Sequence, residues 1–252
     1  MPGLFLCPAA DLPRRLPPGC LPPHLYKSDG NRRSDRLVGR LTFRQLSSRM
    51  YVGKSKQMNE EIDRLLQLNG GVVRTGDAVK AGLSRMAMVN LVKVGALERV
   101  AHGIYIRPGE IYDEMYVLQL RSDRIVFSHE TALWLNRLSD RAPIQYHVTV
   151  PTKAPLGGAL RGDCVCHYVK PELHGLGAAM RKTAFGHEVR CYDAERTICD
   201  MVRNERRVDV ELLVAGLRSY AASKDKDILR LMETARAFSV EKEVSRYMGV
   251  LA

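Results

Sequence analysis

The sequence predicts an α+β protein, in which an N-terminal winged helix-turn-helix precedes a larger mixed α/β domain with a helical C-terminus. Two observations predict this architecture. Residues 75–108, TGDAVKAGLSRMAMVNLVKVGALERVAHGIYIRP, have the pattern of two short helices across a tight turn, followed by a β-hairpin. Residues 110–252 mix helical and extended patterns before a final run of helices. We therefore expect a winged helix over 58–109 and a second domain over 110–252, preceded by an extension over 1–57.

The extension differs in composition from the rest of the chain. Residues 1–57 contain 7 of the 12 prolines and scattered charges without apolar periodicity. Such a segment cannot bury enough apolar surface to offset the entropy lost on folding, so we expect it to be disordered. Two alternatives are a basic arm that adds non-specific phosphate contacts and a start of translation at Met58, which opens a better helix.

The net charge of +11 suggests a nucleic-acid partner, but its distribution weakens that inference. Residues 1–57 hold 11 Lys and Arg against 3 Asp and Glu, residues 58–109 hold 7 against 5, and residues 110–252 hold 21 against 20. Most of the excess therefore lies in the extension. Charge alone does not identify a DNA-binding domain in this chain.

Capping residues and glycines locate the elements of the predicted winged helix. Asn59 is expected to cap a first helix that ends at Gly70-Gly71. Thr75 is expected to cap a second helix, Gly82 to stop it with a positive φ, and Ser84 to cap the third. The wing follows as two predicted strands, Ala96–Val100 and Gly103–Ile106.

The third helix of a winged helix-turn-helix enters the major groove, and the wing crosses the neighbouring backbone or minor groove. Met88, Leu91 and Val92 share one face, so the opposite face is the predicted reading surface. Arg85 suits a bidentate contact to guanine, and Asn90 suits one to adenine. Lys93, Arg74 and the Ser84 hydroxyl suit phosphate, whereas Arg99, His102 and Arg107 of the wing suit phosphate or the minor groove. The candidate DNA-binding residues are Arg74, Ser84, Arg85, Met86, Asn90, Lys93, Arg99, His102 and Arg107. The alternative is a protein-interaction or dimerisation module on which these are solvated side chains.

The second domain is predicted to alternate both element types before it becomes helical. Strands are expected at Ile125–Phe127, Tyr146–Val150, Val165–Val169 and His187–Cys191. Helices are expected at Ile111–Leu120, Glu130–Leu138, Asp193–Arg203, Val210–Tyr220, Asp225–Phe238 and Val240–Met248.

Two motifs of this domain resemble metal sites but lack the required spacing. The zincin pattern needs a second histidine four residues after His129, where Leu133 stands. We therefore expect Ser128 to cap a helix. Cys164 and Cys166 would share one face of a strand and His167 the other, so one ion could not readily bind all three. The sequence indicates no metal and no cofactor.

The segment Asp193–Asp200, DAERTICD, is the densest polar group of the second domain. Asp193 as a helix cap and Arg196 paired with Asp200 four residues later explain it structurally. An acidic catalytic cluster is the alternative, but no partner for it is evident, and we assign no catalytic residue. The nearby arginines are predicted to form a solvated helix end, or else to meet phosphate or an acidic partner: Arg203, Arg206 and Arg207.

Cysteine usage and hydropathy bear on the compartment. The six cysteines are scattered without CxxC pairs, which favours reduced thiols in a cytosol. No apolar run approaches the roughly 20 residues of a membrane span, and the N-terminus lacks the pattern of a signal peptide. We expect a cytoplasmic protein with no membrane partner.

Four segments together resemble the AbiEi family of antitoxins from bacterial type IV toxin–antitoxin systems. They are GGVVRTGDAVKAGLSRMAMVNLVKVGALERVAHGIYIRPG, VFSHETALWLNRLSD, HVTVP and YDAERTICDMV, in that order. The resemblance covers Met58 to Leu251. It implies an N-terminal winged helix that represses its own operon and a C-terminal domain needed for antitoxicity. It also implies a nucleotidyltransferase-like toxin that is neutralised without a stable complex.

The leading hypothesis is therefore a DNA-binding autorepressor and antitoxin without catalytic activity. Its expected partner is double-stranded DNA, namely its own operator with inverted repeats, and its functional counterpart is the toxin. One alternative is a winged-helix transcription factor without a toxin partner. Another is a nuclease with a winged-helix head, although the chain lacks an acidic residue followed at strand spacing by Glu-x-Lys.

Overall fold

The computed structural model describes the backbone of residues 43–251 and the side chains of residues 56–251. The disordered extension or basic arm was predicted over residues 1–57; residues 1–42 lie outside the described residues, and residues 43–57 are helical. The helices are α1 Phe43–Leu68, α2 Thr75–Lys80, α3 Arg85–Lys93, α4 Glu114–Arg121, α5 His129–Leu135, α6 Gly158–Gly162, α7 Pro171–His174, α8 Ala194–Arg203, α9 Val210–Ala222, α10 Ile228–Ala237 and α11 Glu241–Leu251. The strands are β1 Val73–Arg74, β2 Glu98–Ala101, β3 Ile104–Ile106, β4 Val126–Phe127, β5 His147–Pro151, β6 Val165–Val169, β7 Ala178–Lys182 and β8 Glu188–Tyr192.

This element order confirms the mixed α+β class, with two separate sheets. The first is an antiparallel sheet in the order β1-β3-β2, in which Val73 pairs with Tyr105 and Glu98 pairs with Ile106. Helices α1, α2 and α3 pack on it around an apolar core. The core includes Ile62, Leu65, Val73, Ala78, Met88, Leu91, Leu97 and Tyr105.

Two predicted helix starts in this region differ from the structure. α1 begins at Phe43 rather than at Asn59, because residues 43–58 contain no proline to end a helix. Thr75 begins α2 but does not cap it. Its hydroxyl instead donates to the carbonyl of Gly103, 3.3 Å away. The predicted turn is confirmed, since Gly82 has a φ of +87° and Ser84 caps α3.

The second sheet has the order β6-β5-β4-β8-β7. β5 runs parallel to β6 and β4 parallel to β8, whereas β4–β5 and β7–β8 are antiparallel. The strands predicted at 125–127, 146–150, 165–169 and 187–191 correspond to β4, β5, β6 and β8. β7 was not predicted, because its residues AAMRK form a half-exposed edge strand with little apolar character.

The C-terminal helices α8 to α11 build the largest apolar core, and α8 is its centre. Asp193 caps α8 by accepting from the Arg196 amide at 2.8 Å, as predicted. The predicted pair of Arg196 and Asp200 is also present, with 3.0 Å between Nε and Oδ1. The Arg196 guanidinium is buried between the rings of Tyr192 and Phe238, at 4.2 and 3.8 Å.

A buried polar contact joins the first sheet's region to the second sheet. Asp113 caps α4 and also accepts from Thr183 at 2.5 Å and from His187 at 2.8 Å. The His187 ring stacks on Tyr116 and lies directly against Gly70, at the turn that follows α1. Residues 48–252 accordingly form one compact unit. Within residues 43–251, no helix combines the length and apolarity needed to cross a membrane.

Candidate nucleic-acid interface

Helix α3 presents a polar and partly apolar surface to solvent, which we call the α3 face. Ser84 begins the helix by accepting from the Ala87 amide at 3.0 Å, and Met88 and Leu91 anchor it in the core. The α3 face consists of the exposed residues Arg85, Met86, Val89, Asn90 and Lys93. Met86 is 65% exposed and Val89 is 42% exposed, so part of this surface is apolar.

The polar side chains of the α3 face are not committed to contacts within the fold. Within residues 56–251, the side chains of Arg85, Asn90 and Lys93 make no ion pair, and α3 contains no acidic residue. A guanidinium, an amide and an ammonium are therefore available to hydrogen-bond acceptors of a ligand. This combination suits the edges of bases and the phosphate groups of nucleic acid.

The tip of the β2–β3 hairpin carries a second group of donors. Arg99 Nε donates to the Ala101 carbonyl at 3.2 Å, and its Nη2 lies 2.8 Å from His102 Nδ1. Because arginine can only donate, His102 Nδ1 is the acceptor and the proton of the neutral ring is on Nε2. The exposed His102 Nε2–H can therefore donate outward from the tip of the hairpin.

The hairpin is tied to the start of α2. The Thr75 amide donates to the Gly103 carbonyl at 2.8 Å, in addition to the bond from its hydroxyl. Gly103 has a φ of +71°, and a Cβ there would lie 3.2 Å from Thr75 Oγ1. Sequence reasoning missed this connection because a threonine at a helix start has the same signature as a cap.

Two of the candidate DNA-binding arginines form ion pairs within the fold. Arg74 forms a bidentate pair with Asp77, with distances of 2.7 and 3.1 Å. These bonds raise the pKa of Arg74 above its ordinary value, so it stays a cation, and it is exposed. Arg107 donates to the Ala96 carbonyl at 2.9 Å and pairs with Asp63 of α1. Its side chain is only 25% exposed.

Arg107, which directly follows β3, therefore ties the hairpin to α1 and to the loop after α3, and its guanidinium is used within the fold. Ser84 Oγ accepts a backbone bond but keeps its own proton for donation. The exposed candidates thus form two groups, one on the α3 face and one at the tip of the hairpin.

The motifs of the second domain that resembled metal sites form other contacts. Ser128 precedes α5 but does not cap it, because its Oγ bonds instead to His129 Nδ1 at 3.0 Å and Thr149 Oγ1 at 2.8 Å. Cys164 directly precedes β6, and its Sγ lies 3.7 Å from the Sγ of Cys166 in that strand. Within the described residues, no three His, Cys, Asp or Glu side chains are grouped as metal ligands would be.

An exposed helix without acidic residues, next to a hairpin that carries donors, is typical of transcriptional regulators. Residues 60–108 match the family described as "Transcriptional regulator, AbiEi antitoxin". This match confirms the AbiEi resemblance over residues 60–108, where the chain is similar to this family of regulators.

The comparison with solved structures adds a remote similarity. The crystal structure of the RV2827C protein from Mycobacterium tuberculosis aligns with 71% of this chain and 75% of its own, at 14% identity and a TM-score of 0.44. That similarity is too low to indicate a shared function. None of the curated proteins compared with the chain matches it.

Proposed function

We propose that this protein is a DNA-binding transcriptional autorepressor that acts as the antitoxin of a type IV toxin–antitoxin system. Residues 58–109 would form its winged helix-turn-helix and residues 110–252 its antitoxin domain. The observation that carries the proposal is the family match over 60–108, which spans α2, α3 and the hairpin. The toxin it would counteract resembles a nucleotidyltransferase and is neutralised without a stable complex.

The arrangement of the first sheet supports the winged-helix assignment. Three helices precede a two-stranded hairpin, and a short strand between α1 and α2 completes the sheet. In this assignment α3 is the recognition helix and the β2–β3 hairpin is the wing. Arg85 and Asn90 would read bases, while Lys93, Arg74 and the Ser84 hydroxyl would contact phosphate. Arg99 and His102 would contact phosphate or the minor groove from the wing.

The fold modifies the list of predicted contacts at one residue. Because Arg107 is bonded to Ala96 and Asp63, we assign it to positioning the wing rather than to the nucleic acid. Met86 would contact the methyl group of thymine, the apolar feature of the major groove.

Footprinting on the DNA upstream of the protein's own gene, with salt varied, tests the repressor part. We expect protection of an inverted repeat by the wild-type chain. Arg85→Ala and Asn90→Ala should each weaken operator binding about 5- to 150-fold, the cost of one lost bidentate base contact. Binding to random DNA should change much less, because phosphate contacts dominate it.

Arg64→Ala is the matched control for these variants. Arg64 lies on α1, its side chain is 70% exposed, and its removal changes the charge by the same amount as Arg85→Ala. The control should bind the operator nearly as the wild type does. If Arg85→Ala and Asn90→Ala lower operator and random-DNA affinity equally, α3 is not the reading helix.

The antitoxin part needs a separate measurement. A nucleotidyltransferase-like gene next to this one, whose toxicity is relieved by co-expression of the full chain, would distinguish an antitoxin from a transcription factor without a toxin. The nuclease alternative would require metal-dependent cleavage of plasmid DNA by the purified protein. No observation within the described residues favours that alternative.

A further inference from the structure

A cleft of about 330 Å³ in the second domain brings together three motifs that the proposed DNA interface does not use. His129 comes from the start of α5, His167 from β6, and Asp200 and Arg203 from α8, with Arg207 shortly after it. The volume is within the roughly 300–1,000 Å³ range of small-molecule sites. The lining is polar and charged rather than apolar, so a polar ligand is the appropriate occupant.

A buried carboxylate with an unused oxygen lines this cleft. Asp200 has a side chain only 5% exposed, and its Oδ1 lies 3.0 Å from Arg196 Nε without the alignment of a hydrogen bond. Its Oδ2 has no hydrogen-bond partner within residues 56–251. A buried acceptor without a donor is costly. A ligand that donates a hydrogen bond to this oxygen would remove that cost.

Two arginines at the mouth of the cleft supply positive charge. Arg203 and Arg207 are exposed, and within the described residues neither guanidinium forms an ion pair. Arg206 lies between them in sequence and is also exposed, but it does not line the cleft. The two lining arginines are thus free to bind an anion, and guanidinium groups match the oxygens of phosphate.

The histidines of the cleft are neutral and fixed. The rings of His129 and His167 stack 3.5 Å apart, and Asn204 Nδ2 lies 3.0 Å from His129 Nε2. Burial and the neighbouring imidazoles lower the pKa of His129 well below its ordinary value and that of His167 to about 4. His129 also has a φ of +48°, a strained conformation for a residue with a side chain. The surroundings therefore hold this imidazole in place.

We propose that this cleft binds a monophosphate group, whose oxygens pair with Arg203 and Arg207 and whose P–OH donates to Asp200 Oδ2. A phosphate group has a second pKa of about 6, so near neutral pH a fraction of the molecules still carries this proton. Sulfate offers the same oxygens but has no such proton. A carboxylate acceptor at the site would therefore repel sulfate and accept phosphate.

Isothermal titration calorimetry on the full chain, at equal ionic strength, tests this with three probes: inorganic phosphate, adenosine monophosphate and sulfate. We expect phosphate to bind at least about tenfold more tightly than sulfate, because only phosphate can make the charge-assisted hydrogen bond to Asp200. If adenosine monophosphate binds more tightly than phosphate, the source of the group is a nucleotide. If the two bind equally, the cleft recognises the phosphate alone. Either result supports the site.

Arg207→Gln should weaken phosphate binding about tenfold, whereas Arg206→Gln, with the same change in charge, should leave it unchanged. Asp200→Asn should abolish the preference for phosphate over sulfate, provided that circular dichroism shows it folded. Because Arg207 is exposed, its variant is expected to fold. The comparison of Arg207→Gln with Arg206→Gln therefore tests the phosphate site even if Asp200→Asn does not fold. Equal affinities for phosphate and sulfate, or equal losses in the Arg206 and Arg207 variants, would overturn the proposal.

Discussion

Gly70 and Gly71 follow α1 with similar backbones, yet only one of them lies against a neighbouring side chain. Their φ values are +64° and +82°, so glycine suits both positions. A Cβ on Gly70 would lie 1.8 Å from His187 Nε2, whereas a Cβ on Gly71 would meet nothing within 4 Å. The Gly-Gly pair predicts the helix end from sequence. It does not predict the contact with His187, because the two residues are far apart in the chain.

We expect Gly70→Ala to lower the free energy of unfolding by about 1–3 kcal/mol more than Gly71→Ala does, the usual cost of an overpacked contact. Both variants share the strain of a positive φ, about 1–2 kcal/mol. Only Gly70→Ala also displaces the His187 ring, which Asp113 and Tyr116 hold in place. Urea unfolding of the two variants measures the difference. Equal losses would mean that His187 moves aside without cost.

At the scale of elements, local signals predicted α3 and α8 correctly because their caps act within one turn. Ser84 and Asp193 each accept an amide three residues later. The edge strand β7 and the cleft around Asp200 were not predictable in this way. The bond between His129 and Asn204 joins residues 75 positions apart, and no periodicity reports such a pairing. The α3 face was predictable because one helix carries it.

Ser84→Ala should destabilise the protein by about 1 kcal/mol through loss of the α3 cap. The variant should also weaken operator binding for two reasons: the first turn of α3, which carries the proposed reading residues, would fray, and the proposed phosphate contact of the Ser84 hydroxyl would be lost. Ser219→Ala is the control, since Ser219 is an exposed residue in the interior of α9, where alanine is at least as favourable. Thermal unfolding and operator titration of both variants provide the measurement. If Ser84→Ala is as stable as Ser219→Ala, the cap contributes little to the stability of α3.

At the scale of the whole molecule, buried titratable groups set the response to acid. Burial lowers the pKa values of His129, His147 and His167, and it raises the pKa of Asp200 to about 6. The unfolded chain therefore binds more protons at the histidines than the native protein does between pH 6.5 and about 4. The folded state binds more at Asp200 between about pH 4 and 6. Burial also lowers the pKa of His174 and raises that of Asp193, so each effect gains one group. The two effects oppose each other, and the four histidines outnumber the two carboxyl groups.

Stability should accordingly be highest above pH 6.5 and fall by about 2 kcal/mol as the pH is lowered from 7 to 5, since protonation then favours the unfolded chain. His167→Gln removes the group whose pKa falls to about 4 and should flatten this dependence, whatever its effect on stability at pH 7. Urea unfolding at several pH values measures the slope for both proteins. A wild-type stability that is constant or rises from pH 7 to 5 would show that Asp200 outweighs the histidines, and that the cleft is more hydrated than its burial implies.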